Sequence, residues 1–149
     1  MVTYDSHPKI TLDMENGIHV FPPESATGKT YLFGILRNLQ MTGCPIVTYN
    51  YWDYTMGVKL GDKLREFNPE VVMIDRMDCF DTDENVHSSL LSMRSKAIVL
   101  LDLKYLSPPP FGCRFAEIDL SPDAIEVVAS LVAGVLLVAL IWGVLQFCN

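Results

Sequence analysis

Apolar positions along the chain recur with two periods, and the change from one to the other marks out the elements. Residues 9–14 and 18–21 have a strand composition, and Glu15-Asn16-Gly17 between them offers the Asn-Gly signal for positive φ, so an N-terminal β-hairpin is expected. From residue 30 to 41 the period lengthens. Leu32, Phe33, Ile35, Leu36 and Leu39 fall on one broad face of a helix, with Arg37, Asn38 and Gln40 opposite. Gly43 and Pro45 end it. Residues 46–51 read as a strand and residues 55–67 as a helix weakened by Gly57 and Gly61. Two continuous apolar runs follow, 71–74 ending at Asp75 and 97–101 ending at Asp102, with a short helical pattern over 83–94 between them. Such runs suit strands covered on both faces, and the alternation of strands with helices predicts a layered α/β domain with a mostly parallel sheet over residues 1–123. The prolines at 108–110 break the pattern, and residues 111–123 read as a loop or short edge strand.

The remainder, residues 124–149, behaves differently. Every Asp, Glu, Lys and Arg lies between Asp5 and Glu126, and the 22 residues from Val127 to Cys148 hold none. A helix of that length spans roughly 33 Å, the thickness of a bilayer's hydrocarbon core, and its apolar residues are not confined to one face. A C-terminal apolar helix is therefore expected, placing the protein at a membrane with its charged body on the cytoplasmic side; a helix buried against the domain is the alternative. Asp119, Asp123 and Glu126 stand where flanking Lys or Arg would support insertion. The small-residue spacings Ala129/Ala133 and Ala139/Gly143 permit helix pairing and hence a homo-oligomer. The first 20 residues carry acids and a proline and no apolar core, so no secretory signal is expected.

Charge narrows the choice of partners. With a net charge of −7 and no Lys/Arg run, the chain is a poor match for a nucleic acid. Cys44, Cys79, Cys113 and Cys148 lack metal-ligand spacing and read as reduced thiols. The acids at 81–85 resemble a calcium loop only superficially, because Val86 and Ser92 stand where glycine and glutamate are needed; an acidic helix N-terminus explains them better. The aromatics Tyr49, Tyr51, Trp52 and Tyr54 read as packing at a strand end.

One segment carries chemistry. The strand at 18–21 runs into Pro22-Pro-Glu-Ser-Ala-Thr-Gly-Lys-Thr30 and then directly into a helix. A strand, a short loop with inward N–H groups and a helix N-terminus together make a phosphate cradle. Ser25, Ala26, Thr27, Gly28, Lys29, Thr30 and Tyr31 are the candidate nucleotide-binding residues: Gly28 allows close backbone approach, Lys29 reaches toward the β- and γ-phosphates, and Thr30 offers a hydroxyl to Mg²⁺.

These residues resemble the first motif of the P-loop NTPase superfamily, G-x-x-x-x-G-K-[ST], matching at Gly28, Lys29 and Thr30 and departing at Pro23, where the family has glycine. The resemblance covers roughly residues 18–104. It implies a three-layer P-loop-like sheet, ATP or another nucleoside triphosphate with Mg²⁺ as cofactor, and Thr30 and Asp75 as metal-associated residues. Many ATPase branches of the family place glutamate after the strand-end Asp, and this chain has Arg76 there. Asp78 and Glu84 are the candidates for activating water, and Asp102 resembles the polar sensor position of AAA-type ATPases. Two functions stay open: a membrane-attached nucleotide-binding protein with slow NTPase activity, or a non-catalytic, nucleotide-responsive scaffold.

Overall fold

The computed structural model describes residues 1–22, 28–80, 82–103 and 114–129. Eight strands form one sheet in the order β1-β2-β8-β7-β3-β6-β5-β4. One half of it is built from β3 (Gly17–Phe21), β4 (Ile46–Tyr49), β5 (Val71–Ile74) and β6 (Ile98–Asp102), all parallel to their neighbours, with β4 at the edge. Alternation along these strands splits the core between two faces. Val72, Ile74, Val99 and Leu101 meet α3 (Leu60–Phe67), α4 (Glu84–Met93) and the 3₁₀ turn Met77–Phe80 on one side. Val71, Met73, Ile98 and Leu100 meet Leu32, Phe33 and Leu36 of α1 (Lys29–Met41) on the other. Each large apolar side chain buried this way contributes about 2 kcal/mol relative to exposure. Because both faces are covered, β5 and β6 read as continuous apolar runs, and the sequence identifies them correctly.

The rest of the sheet differs from expectation. Residues 9–13 and 17–21 are not a hairpin: β2 (Lys9–Asp13) pairs antiparallel with β1 (Val2–Tyr4) and parallel with β8 (Ala124–Ala129). Both edges of β3 are already taken, by β6 and by β7 (Arg114–Leu120), so the Asn16-Gly17 turn sends the chain to a different part of the sheet. β7 and β8 are antiparallel. The outcome is a mixed, strongly curled eight-stranded sheet and not the mostly parallel, three-layer P-loop-like sheet that the strand–helix alternation suggests. Curling lets Ile10 and Leu12 of β2, with Ile125 and Val127 of β8, close over the α1 side of the core, where all four are buried.

The expected C-terminal helix is also corrected. Residues 124–129 are a strand whose Ile125 and Val127 point inward while Glu126 is exposed, an alternation of period two. Among the described residues no helix is long and apolar enough to cross a membrane. Residues 130–149, the larger part of the apolar run, lie outside the described residues, as do Pro23, Glu24, Ser25, Ala26, Thr27 and Asp81.

The helix expected over 55–67 is confined to α3, and a short extra helix precedes it where Tyr51 is expected to end a strand. α2 (Tyr51–Thr55) starts with a reciprocal cap between Asn50 and Asp53, and Gly57, at φ +82°, turns the chain before α3. Asp83 caps α4 by accepting from the N–H groups of Asn85 and Val86, as an acidic helix start requires.

Candidate phosphate site at the strand ends

β3, β6 and β5 lie side by side and end at the same rim, with Phe21 in register with Asp102. Ligands of open α/β sheets bind beyond this carboxyl end of the strands. Gly28, just before α1, holds φ +89°, and a Cβ there would stand 2.7 Å from Cδ1 of Leu120. The backbone angle favours glycine, and the Leu120 side chain would have to shift to admit a methyl. α1 begins at Lys29 with no side-chain cap from Gly28 and no acid in its first turn, so among the described residues of that turn nothing offsets its positive end.

Lys29 turns back across this rim. Its Nζ donates to the carbonyl of Pro22 at 3.0 Å and pairs with Oδ1 of Asp102 at 3.0 Å, the two side chains being 12% and 9% exposed. Asp75, one residue beyond β5, shares a side-chain hydrogen bond with Asp102. Burial first, then that hydrogen bond and the charge of Asp102, push the Asp75 carboxyl up to about 6, with Arg76 pulling weakly the other way. Lys29 at the start of α1, Asp102 at the end of β6 and Asp75 just beyond β5 thus form one contiguous chain along the rim. Sequence reasoning points to all three residues separately. It does not anticipate that Asp102 holds the lysine directly, although an acid ending the strand next to the loop is the available signal.

The other candidates are placed less centrally. Thr30 and Tyr31 are exposed in the first turn of α1. Asp78 receives the Arg76 guanidinium, from Nη2 to Oδ2 at 2.9 Å and from Nε at 3.2 and 3.3 Å. Glu84 is exposed at the start of α4. Arg76 itself has φ +55°, a left-handed conformation uncommon for a long side chain and costing on the order of 1 kcal/mol. Of the aromatics, Tyr49 is buried and donates to the Val58 carbonyl, and burial raises its hydroxyl to about 12. Tyr51 and Tyr54 are exposed on one side yet stack on each other and pack their rings against Phe80, as Tyr49 does, so the packing expectation holds for these three, while Trp52 is exposed.

Among the described residues no group of three or more His, Cys, Asp or Glu side chains is set to hold a metal. The rim offers oxygen donors, the Asp75 and Asp102 carboxyls and the Thr30 hydroxyl, which are the hard ligands that Mg²⁺ takes. Mg²⁺ keeps several waters and uses one or two carboxylates with substrate phosphates, so it needs no three-residue cage. The chain matches no protein-family model and no curated protein.

Proposed function

We propose that the junction of β3 and α1 binds the phosphates of a nucleotide, with ATP and Mg²⁺ as the expected occupants. The observation that carries this reading is the nearly buried Lys29–Asp102 pair beside the uncapped start of α1 and the left-handed Gly28. A lysine so placed has its charge held ready at the rim. An incoming phosphate replaces Asp102 as the partner of Lys29, and the N–H groups of the first turn of α1 add their dipole. The motif of Gly28, Lys29 and Thr30 supports the same reading. Thr30 and Asp75 are the residues that would hold Mg²⁺, which supplies charge neutralisation across the phosphate oxygens when bound. On the chain's side, Gly28 lets the backbone come close, Lys29 binds, and Asp102 keeps the lysine aimed between binding events.

A second reading, nucleotide binding without turnover, is favoured by one feature. Asp78 is engaged by Arg76, and the residue following Asp75 is that arginine and not a carboxylate, so among the described residues no base is free beside Asp75. Titration of the full-length chain with ATP and Mg²⁺, against Lys29→Ala, tests the binding reading. The variant is expected to bind at least about 10-fold more weakly, the value of one lost charge-assisted hydrogen bond. Equal binding by both proteins defeats the phosphate-site reading, and single-turnover phosphate release separates a slow NTPase from a switch.

A further inference from the structure

The charge balance of this rim leaves one cation without a role in phosphate binding, and any role for it rests on the phosphate site proposed for the β3–α1 junction. Among the described residues, the side-chain cations at the carboxyl ends of β3, β6 and β5 are Lys29 and Arg76. Arg37 pairs with Asp53, Lys63 donates to the Thr48 carbonyl, and Arg114 lies at the opposite end of the sheet with Glu15. Three carboxyls, Asp75, Asp78 and Asp102, face the two cations. A triphosphate brings more negative charge to that rim than one lysine can balance.

Arg76 is built to respond. It follows Asp75 directly, and its backbone turns through φ +55°, a conformation that glycine adopts without cost. The 3₁₀ turn Met77–Phe80 begins at the next residue and carries Asp78 back under the guanidinium. The arginine side chain remains 40% exposed while Asp78 is 9% exposed, so the cation caps a nearly buried carboxylate and faces outward. Asp78 uses the Nε and Nη2 groups, and guanidinium has five N–H donors, so others stay available to an anion. Its planar fork matches phosphate oxygens as well as it matches a carboxylate.

We infer that Arg76 is a specificity residue of the phosphate site, contacting the terminal phosphate of a nucleoside triphosphate and thereby distinguishing it from the diphosphate. Lys29 and the start of α1 hold the phosphates common to both nucleotides. Arg76, two strands away from β3 and about 10 Å across the sheet, addresses only the phosphate that extends furthest from the loop. No bond is made or broken in this step.

The test compares Kd for ATP and for ADP, each with Mg²⁺, in the full-length chain and in Arg76→Gln and Arg76→Gly. The parent is expected to prefer ATP. Both variants should lower that preference by about 10-fold or more while ADP affinity stays within about two-fold. Arg76→Gly relaxes the backbone but, like Arg76→Gln, takes the counter-charge from Asp78, so its thermal midpoint should fall less than that of Arg76→Gln while ATP preference is lost to the same extent, a split between stability and specificity that a merely structural arginine would not give. An ATP-to-ADP ratio unchanged in both variants, with ADP binding intact, overturns the assignment of Arg76 alone. Absence of binding of either nucleotide by the parent overturns the phosphate-site reading and this assignment with it.

Discussion

The two ends of the parallel strands carry the same kinds of charged groups under very different conditions. At the carboxyl end Lys29 and Asp102 sit 3.0 Å apart and nearly buried, linked onward to Asp75. At the amino end Arg114 and Glu15 are 3.6 Å apart and 53% and 85% exposed. The buried polar group there is His19, whose Nε2–H donates to the Glu15 carbonyl at 2.9 Å while Nδ1 has no partner. Opposite charges in water gain little, because solvent screens the attraction and the side chains lose freedom. Taken out of water, the same pair becomes costly to break, since either charge left alone is poorly solvated. The difference teaches that charge is concentrated where the chain commits to holding it, and that the carboxyl end is the prepared one.

Breaking the buried pair should therefore have the largest effect. Asp102→Ala leaves Lys29 without its counter-charge and is expected to lower unfolding free energy by about 3 kcal/mol, measured by denaturant titration. A double variant, Lys29→Met with Asp102→Leu, should recover most of that loss, because the cost lies in the orphaned charge. A loss under about 1 kcal/mol for Asp102→Ala would place this pair with the surface ones and erase the contrast. Next in size is Gly28→Ala. The new methyl meets Leu120 at 2.7 Å in a backbone held at φ +89°, so a loss of about 1–2 kcal/mol is expected in the same titration.

Legibility in the sequence follows the same division. β5, β6 and α1 were readable because two-sided burial writes continuous apolar runs, and a one-sided helix writes a period of 3.6. The positions of Lys29, Asp75 and Asp102 were readable too, since they stand at or just beyond the ends of those elements. What failed depends on distant pairing. Ile10 lies beside Ile125 and Leu12 beside Val127, contacts more than a hundred positions apart that leave no local trace, whereas Asn16-Gly17 is a strong local trace that misleads. In β8 the signal was present in the order Ile125, Glu126, Val127 but was outweighed by the uncharged run beyond it. The positive φ of Arg76 could not be read, because arginine carries no marker for it.

Acid titration should separate the two ends by sign. Burial lowers the His19 imidazole below its usual value near 6.5. The unfolded chain then binds the extra proton, so the contribution of His19 is full above 6.5 and is lost as pH falls through its lowered folded value. Asp75 behaves oppositely: raised from 3.8 to about 6, it stabilises most below 3.8 and loses that contribution as pH rises through 6. Between about pH 4 and 6, without added metal, stability relative to the parent should climb toward acid in His19→Gln and drop toward acid in Asp75→Asn. Parallel curves for the two variants would show that the ends are not electrostatically distinct.

The smallest effect belongs to the exposed pair, and it sharpens the comparison because Arg114 touches both of its terms. Arg114→Ala removes an ion pair at 3.6 Å between exposed groups, and at about pH 8 should change unfolding free energy by less than about 0.5 kcal/mol. Yet the Arg114 charge is also one of the influences that hold His19 low, after burial. Removing it makes protonation of His19 easier, so the folded value moves back toward that of the unfolded chain. The acid loss assigned to His19 therefore shrinks, although burial, the larger cause, remains. The measurement is the stability difference between Arg114→Ala and parent at about pH 8 and about pH 5, repeated in the His19→Gln background. A gain for Arg114→Ala on acidification that disappears once His19 is gone identifies field coupling through the imidazole. A gain that persists without His19 would instead belong to the exposed pair itself, and the amino end would then hold its charge more firmly than its exposure allows.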